Sequence, residues 1–133
     1  KIDPKYVPIE ITETAAITNE DVSVLADSFH KNGFSLIMDD FGSGYSSLSY
    51  LSKVTVDMLK IDKSFVDEIL TKEGDKSFVD IIIKLGHLMN CKVIAEGVED
   101  QNQLSALAFL GCDYVQGYVW GKPTHLEDLS NCL

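Results

Sequence analysis

Two carboxylates stand side by side at Asp39 and Asp40, at the end of the apolar run "FSLIMD" and just ahead of Phe41 and Gly42. Adjacent carboxylates repel, so something must hold them: a divalent cation, a pair of basic side chains, or water around a solvated turn. Other ionisable or polar residues end apolar runs in the same manner. Glu10 and Glu13 close "VPIEITE", Lys60 and Asp62 close "DMLKID", Glu96 and Glu99 follow "KVIA", and Gln116 lies in "YVQGYV". For any single Glu or Asp, a solvated strand end is an ordinary explanation. Lys60 resists it, because "MLKID" buries an ammonium in an apolar strand unless a carboxylate or a metal-held water receives it.

Two phosphate-handling patterns fail against "DDFGSGYSS". A kinase DFG needs a glycine-rich lid, HRD and VAIK beside it, and the chain has none of them and is too short. The dinucleotide pattern GxGxxG breaks at Ser47 and would press a pyrophosphate against two aspartates. A cation site is the physically consistent alternative. Two carboxylates within about 4 Å share divalent ions, and Gly42 and Gly44 let the following loop fold tightly over them.

The elements that must position these residues alternate along the chain. Strands are expected at 7–13, 34–39, 57–62, 92–97 and 114–119. Thr18, with Asp21 three residues on, opens the first helix; Val22, Leu25 and Phe29 share its packed face, and Asn32-Gly33 stops it. "SFVDEILTK" and "KSFVDIIIKLGHLMN" follow the third strand, "QNQLSALAFLG" follows the fourth, and Thr124 with Glu127 forms the capping box of a short last helix. Near-continuous apolar strands separated by helices mean a parallel sheet covered by helices. All five strands carry a polar residue near the C-terminal end, which fits a barrel mouth better than the one switch point of an open doubly wound sheet. The expected fold is α/β, a partial (β/α)8 TIM-type barrel of about five parallel strands alternating with helices.

Composition narrows the class. The chain of 133 residues is 45% hydrophobic and 24% charged, ordinary for one globular domain, and no linker or charge block divides it. A formal net charge of -10 opposes sequence-independent binding to a nucleic-acid polymer or an anionic membrane, although metal cations would still admit an anionic substrate. Cys91, Cys112 and Cys132 are widely spaced without a CxxC pattern, so reduced thiols are expected rather than disulfides or a zinc ribbon. No stretch reaches the length of a membrane span and no secretory signal opens the chain, so a cytoplasmic location is expected.

Taken in order, "EITE", "DDFGSGYSSLSYL", "MLKIDKSFV", "VIAEGVE" and "GCDYVQGYVWGKP" resemble the successive strand ends of the EAL family of cyclic-di-GMP phosphodiesterases, from about residue 6 to residue 124. The resemblance implies hydrolysis of one phosphodiester bond of cyclic-di-GMP to linear pGpG, with two divalent ions, Mg2+ or Mn2+. It implies Glu10, Asp39 and Asp40 as metal ligands, and Lys60 and Glu96 as catalytic groups that hold and deprotonate the attacking water. Glu13 would anchor the "DFGSGYSSL" loop, Asp62 would partner Lys60, and Glu99 and Gln116 would line the mouth. Ser43 stands where the family often has Thr. The Glu-Ala-Leu triplet that names the family and a later Asn ligand are not in this chain. Residues 1–133 are therefore expected to be the C-terminal portion of a single EAL-type domain, starting ahead of the fourth of eight strands. Such a portion would have an incomplete two-metal site, no activity of its own, and open strand edges that promote homo-oligomers. Two further readings stand beside the enzyme: a degenerate receptor or scaffold that binds cyclic-di-GMP without cutting it, and a folding or interaction unit without chemistry. Retention of Asp39, Asp40, Lys60 and Glu96 favours catalysis over the degenerate receptor.

Overall fold

Short runs of aliphatic residues pair into five strands: β1 (Ile9–Thr12), β2 (Leu36–Phe41), β3 (Met58–Ile61), β4 (Lys92–Ala95) and β5 (Tyr114–Val115). The computed structural model describes residues 2–18, 21–42, 54–70 and 73–125. Within them lie helices α1 (Glu13–Thr18), α2 (Val22–Lys31), α3 (Lys63–Glu68), α4 (Glu73–Leu88) and α5 (Gln101–Leu110). Every strand pair is parallel, and the spatial order β1-β2-β3-β4-β5 is the chain order. Such an order has no point where the winding reverses, which separates a barrel wall from a doubly wound sheet. The sheet is open between β1 and β5, and all its C-terminal strand ends lie along one rim.

Both faces of the central strands are covered, as the continuous apolar runs require. Leu36, Ile37 and Met38 of β2 and Leu59, Lys60 and Ile61 of β3 are all buried. Helices close one face through Val66, Ile69, Val79, Ile83 and Leu107. Among the described residues, no helix is long and apolar enough to cross a membrane.

The first unit differs from expectation. β1 stops at Thr12 because the Thr12 hydroxyl accepts the Ala15 N–H at 3.2 Å and turns the chain at once into α1. Glu13 thereby leaves the strand for the first turn of a helix, and it is buried. Thr18 ends α1 instead of opening a helix, and Asp21 takes the N-cap position of α2. Val22 and Ala26 supply the buried face of α2 with Phe29 against the core, whereas Leu25 is exposed. Gly33, at φ +83°, ends the helix as expected.

β5 is also shorter than 114–119. The Gln116 N–H still donates to the Ala95 carbonyl at 2.8 Å, but the chain then wraps Val98: the Val98 N–H donates to the Gln116 carbonyl and the Val119 N–H to the Val98 carbonyl. Only glycine fits at Gly117, where a Cβ would lie 2.2 Å from the Val98 oxygen. The Thr124–Glu127 capping box, the loop from Ser43 through Gly44 and Ser47, and Cys132 lie outside the described residues.

Candidate active site

Adjacent residues of a regular strand point to opposite faces, so Asp39 and Asp40 would be separated by the sheet. A bulge prevents this. Met38 pairs with Leu59 and Phe41 with Ile61, so β2 spends one residue more than β3 across this interval. Asp40 sits in the left-handed region at φ +56°, and its N–H donates to the Asp39 carboxylate at 2.9 Å. Aspartate tolerates that conformation better than most residues. Both carboxylates thus join one rim cluster.

The buried ammonium of Lys60 is received as its burial demands. Its Nζ lies 2.7 Å from Glu10, 3.4 Å from Asp39 and 3.7 Å from Glu96, joining the ends of β1, β2, β3 and β4. Desolvation pulls the Lys60 pKa down, but the hydrogen bond to Glu10 and the charges of Asp39, Glu10 and Glu96 outweigh it and hold the group above the usual lysine range. Lys60 is therefore a fixed cation at neutral pH.

Among the described residues the cluster gathers more carboxylates than cations. One carboxylate oxygen each from Asp40, Asp62 and Glu96 lies within 4.8 Å of the others. Desolvation, reinforced by Asp39 and Asp62, raises the Asp40 pKa. Desolvation likewise raises that of Glu96, against the pull of Lys60 and with the carboxylates of Asp39, Asp62 and Asp40 adding to it. Hard, all-oxygen donors gathered this closely suit a divalent cation of the magnesium, manganese or calcium kind. Asp62 has a further task, since its carboxylate accepts the Ser64 N–H at 2.9 Å and caps α3, while the ion pairs of Lys60 go to Glu10, Asp39 and Glu96.

Glu13 meets the backbone at the start of the loop it was expected to anchor. Its carboxylate accepts the Gly42 N–H at 3.1 Å, tying α1 to the residue that follows Asp40 and Phe41. Gly42 has φ +94° and a Cβ there would press on Phe65, Ile82 and Phe78, so the chain turns out of β2 in a conformation suited to glycine. Glu99 and Gln116 line a cleft of about 250 Å³ beside Glu96, together with Lys63, Gly97, Gly117 and Tyr118. Lys63, Gly97 and Tyr118 escaped the sequence reading. Lys63 left one trace there, an aspartate four residues on at Asp67.

The family model described as the EAL domain matches residues 1–123, and the chain belongs to the EAL domain family. It is 38% identical over 129 residues to the bifunctional diguanylate cyclase/cyclic di-GMP phosphodiesterase MucR of Pseudomonas aeruginosa, an alignment spanning 96% of this chain and 19% of that protein. The solved PaMucR phosphodiesterase in its c-di-GMP complex superposes with a TM-score of 0.89 at 37% identity, over 96% of this chain and 52% of that one. The manganese/cy-diGMP complex of Klebsiella pneumoniae BlrP1 superposes with a TM-score of 0.84 at 31% identity, over 92% of this chain and 31% of that one. The chain thus spans about a fifth of the curated relative and about half of the MucR phosphodiesterase structure.

Proposed function

We propose that the protein carrying this chain is a metal-dependent phosphodiesterase that opens one phosphodiester bond of cyclic-di-GMP and releases linear pGpG. One observation carries the reading: the Lys60 ammonium, held by Glu10, Asp39 and Glu96, faces the Asp40, Asp62 and Glu96 oxygens at the shared rim of a parallel sheet. The names of the relatives supply the substrate. Asp40, Asp62 and Glu96 would hold one Mg2+ or Mn2+ ion, and Glu10 and Asp39 with Asp40 would serve a second. When bound, such ions neutralise phosphate oxygens and lower the pKa of water.

The chain's own groups divide the remaining work. Lys60, charged throughout the neutral range, donates to the attacking water or to a phosphate oxygen. Glu96, beside Lys60 and the Asp40 and Asp62 carboxylates, would orient the attacking water and assist its deprotonation. Glu13 holds the backbone at Gly42 and so positions Asp39 and Asp40. Glu99, Gln116 and Tyr118 line the cleft that receives part of the dinucleotide.

The 133 residues by themselves are expected not to turn over substrate, since they align with about half of the MucR phosphodiesterase structure. The edges of β1 and β5 favour association with a second copy. The free thiols of Cys91 and Cys112 fit a reducing cytoplasm.

The test uses full-length protein with cyclic-di-GMP and Mn2+ or Mg2+, following pGpG by chromatography. Cleavage that stops in excess chelator is the expected result. Tight binding that persists in chelator, with no product, would overturn the proposal in favour of a receptor.

A further inference from the structure

We propose that Lys63 is a positioning residue that locks the Glu96 turn to the start of α3 and so fixes the spacing between the Asp62 and Glu96 carboxylates. The inference rests on the phosphodiesterase reading for its consequence in turnover, and on geometry alone for its consequence in metal binding.

Glu96 leaves β4 with one backbone hydrogen bond, from its N–H to the Ile61 carbonyl at 3.3 Å. The chain reverses immediately at Gly97, φ +70°. What lies under this turn is the aliphatic stem of Lys63: a Cβ on Gly97 would fall 2.4 Å from Lys63 Cγ, 2.7 Å from Cδ and 2.9 Å from Cβ. A stem in such contact must not move, yet a free lysine has four rotatable bonds. Two carboxylates remove that freedom. Lys63 Nζ lies 2.7 Å from Asp67, one turn along α3, and 3.0 Å from Glu99, two residues beyond Gly97. These contacts hold the ammonium above the usual lysine range, the Asp67 hydrogen bond first and the Glu99 hydrogen bond second.

The same helix begins with Asp62 as its N-cap. The ionic bridge Asp67–Lys63–Glu99 therefore joins the turn carrying Glu96 to the helix start carrying Asp62, two of the three carboxylates grouped within 4.8 Å. An exposed ion pair contributes little to stability. Its effect is on geometry: outer contacts that orient metal ligands typically alter affinity or activity by about 10–100-fold when removed.

The test compares full-length wild type with Lys63→Met, which keeps the stem length and loses the charge, Lys63→Arg, which keeps the charge, and Asp67→Asn, which loosens the bridge away from the cleft. Thermal unfolding identifies folded variants, and Mn2+ affinity is measured by calorimetry without substrate. Lys63→Met is expected to weaken Mn2+ binding by about tenfold and to lower kcat for cyclic-di-GMP similarly, with KM changed less than about twofold. Lys63→Arg should restore most of both, and Asp67→Asn should show a smaller loss of the same kind. Mn2+ affinity unchanged in both Lys63→Met and Asp67→Asn would overturn the inference, and so would a rise confined to KM, which would make Lys63 a substrate contact. A wild type that binds Mn2+ without cleaving cyclic-di-GMP, with the affinity loss still seen in Lys63→Met, would sink the phosphodiesterase reading and leave this one standing.

Discussion

Where β1 to β4 end, Glu10, Asp39, Asp40, Asp62 and Glu96 converge around the ammonium of Lys60; where strands β2 and β4 begin, Asp57 and Asp113 each meet a histidine and a backbone N–H. Asp57 accepts from the Leu36 N–H at 2.8 Å with His30 Nε2 at 3.0 Å. Asp113 accepts from the Val93 N–H at 3.0 Å, with His87 Nε2 at 2.8 Å and Lys92 Nζ at 2.6 Å. The two clasps repeat one plan: a histidine in the last turn of a helix, an aspartate just before the next strand but one, and the first or second N–H of the strand between. Burial works to raise the Asp113 pKa, but the bonds from Lys92, His87 and Val93 outweigh it and bring the carboxyl down to about 2. At the opposite rim, Asp40 and Glu96 have raised pKa values. One end of the sheet pairs its carboxylates with basic side chains and backbone N–H groups; the other crowds several carboxylates around one ammonium, and barrel enzymes divide stability and chemistry between the same two faces.

Changes at each end should therefore separate activity from stability. Lys60→Met in the full-length protein is expected to reduce cleavage of cyclic-di-GMP by roughly 10²-fold or more at saturating metal, the usual effect of deleting one positioned catalytic group. Steady-state kinetics decides it, and a loss below about tenfold would remove Lys60 from its role.

Asp113→Asn should act oppositely, lowering stability by about 2 kcal/mol while activity per folded molecule stays within about twofold. The folded pKa lies below the ordinary value of 3.8, so this contribution is present above pH 3.8 and is lost as pH falls toward 2. Denaturant unfolding of both proteins across that range should show their difference closing; a constant difference would mean that packing, not charge, is responsible.

Glu13→Ala removes the acceptor for the Gly42 N–H, and about a tenfold loss of activity is expected. Excess Mn2+ should restore Glu10→Ala in part and Glu13→Ala hardly at all; equal recovery would erase the distinction between a metal ligand and a backbone anchor. Asp57→Asn is the milder counterpart of Asp113→Asn, at about 1 kcal/mol, because its side chain is 44% exposed. The smallest effect has the opposite sign. Glu96→Gln should abolish any cleavage of cyclic-di-GMP by the full-length protein yet stabilise metal-free protein by roughly 0.5 kcal/mol. Glu96 has a folded pKa above the ordinary 4.5, so its charge opposes folding at neutral pH and the penalty is relieved as pH falls through the folded value. A gain persisting below pH 4.5 would show that electrostatic relief is not its source.

Much of this was legible in the residues alone. Unbroken apolar runs such as "FSLIMD" and "KVIA" mark strands covered on both faces, and the identity of nearly every carboxylate at the rim follows from where those runs end. The clasps at the other end were not legible, because His30 and Asp57 are 27 residues apart and His87 and Asp113 are 26. A histidine and an aspartate at such separations have no local rule that pairs them, so only contact between neighbouring units reveals the repeat.

The sequence by itself determined the parallel α/β class and the chemical types gathered at the rim, since these depend on period and on local apolar runs. Tertiary structure alone decided that Asp39 and Asp40 share one face, because the extra residue in β2 appears only in its register against β3. It also decided that Glu10 is the nearest partner of Lys60, that Glu13 serves the Gly42 backbone from a helix rather than a strand, and that Lys63 braces the turn at Gly97. Each of these depends on distances between segments far apart in the chain, where a shift of one residue or a few ångströms changes which charge meets which.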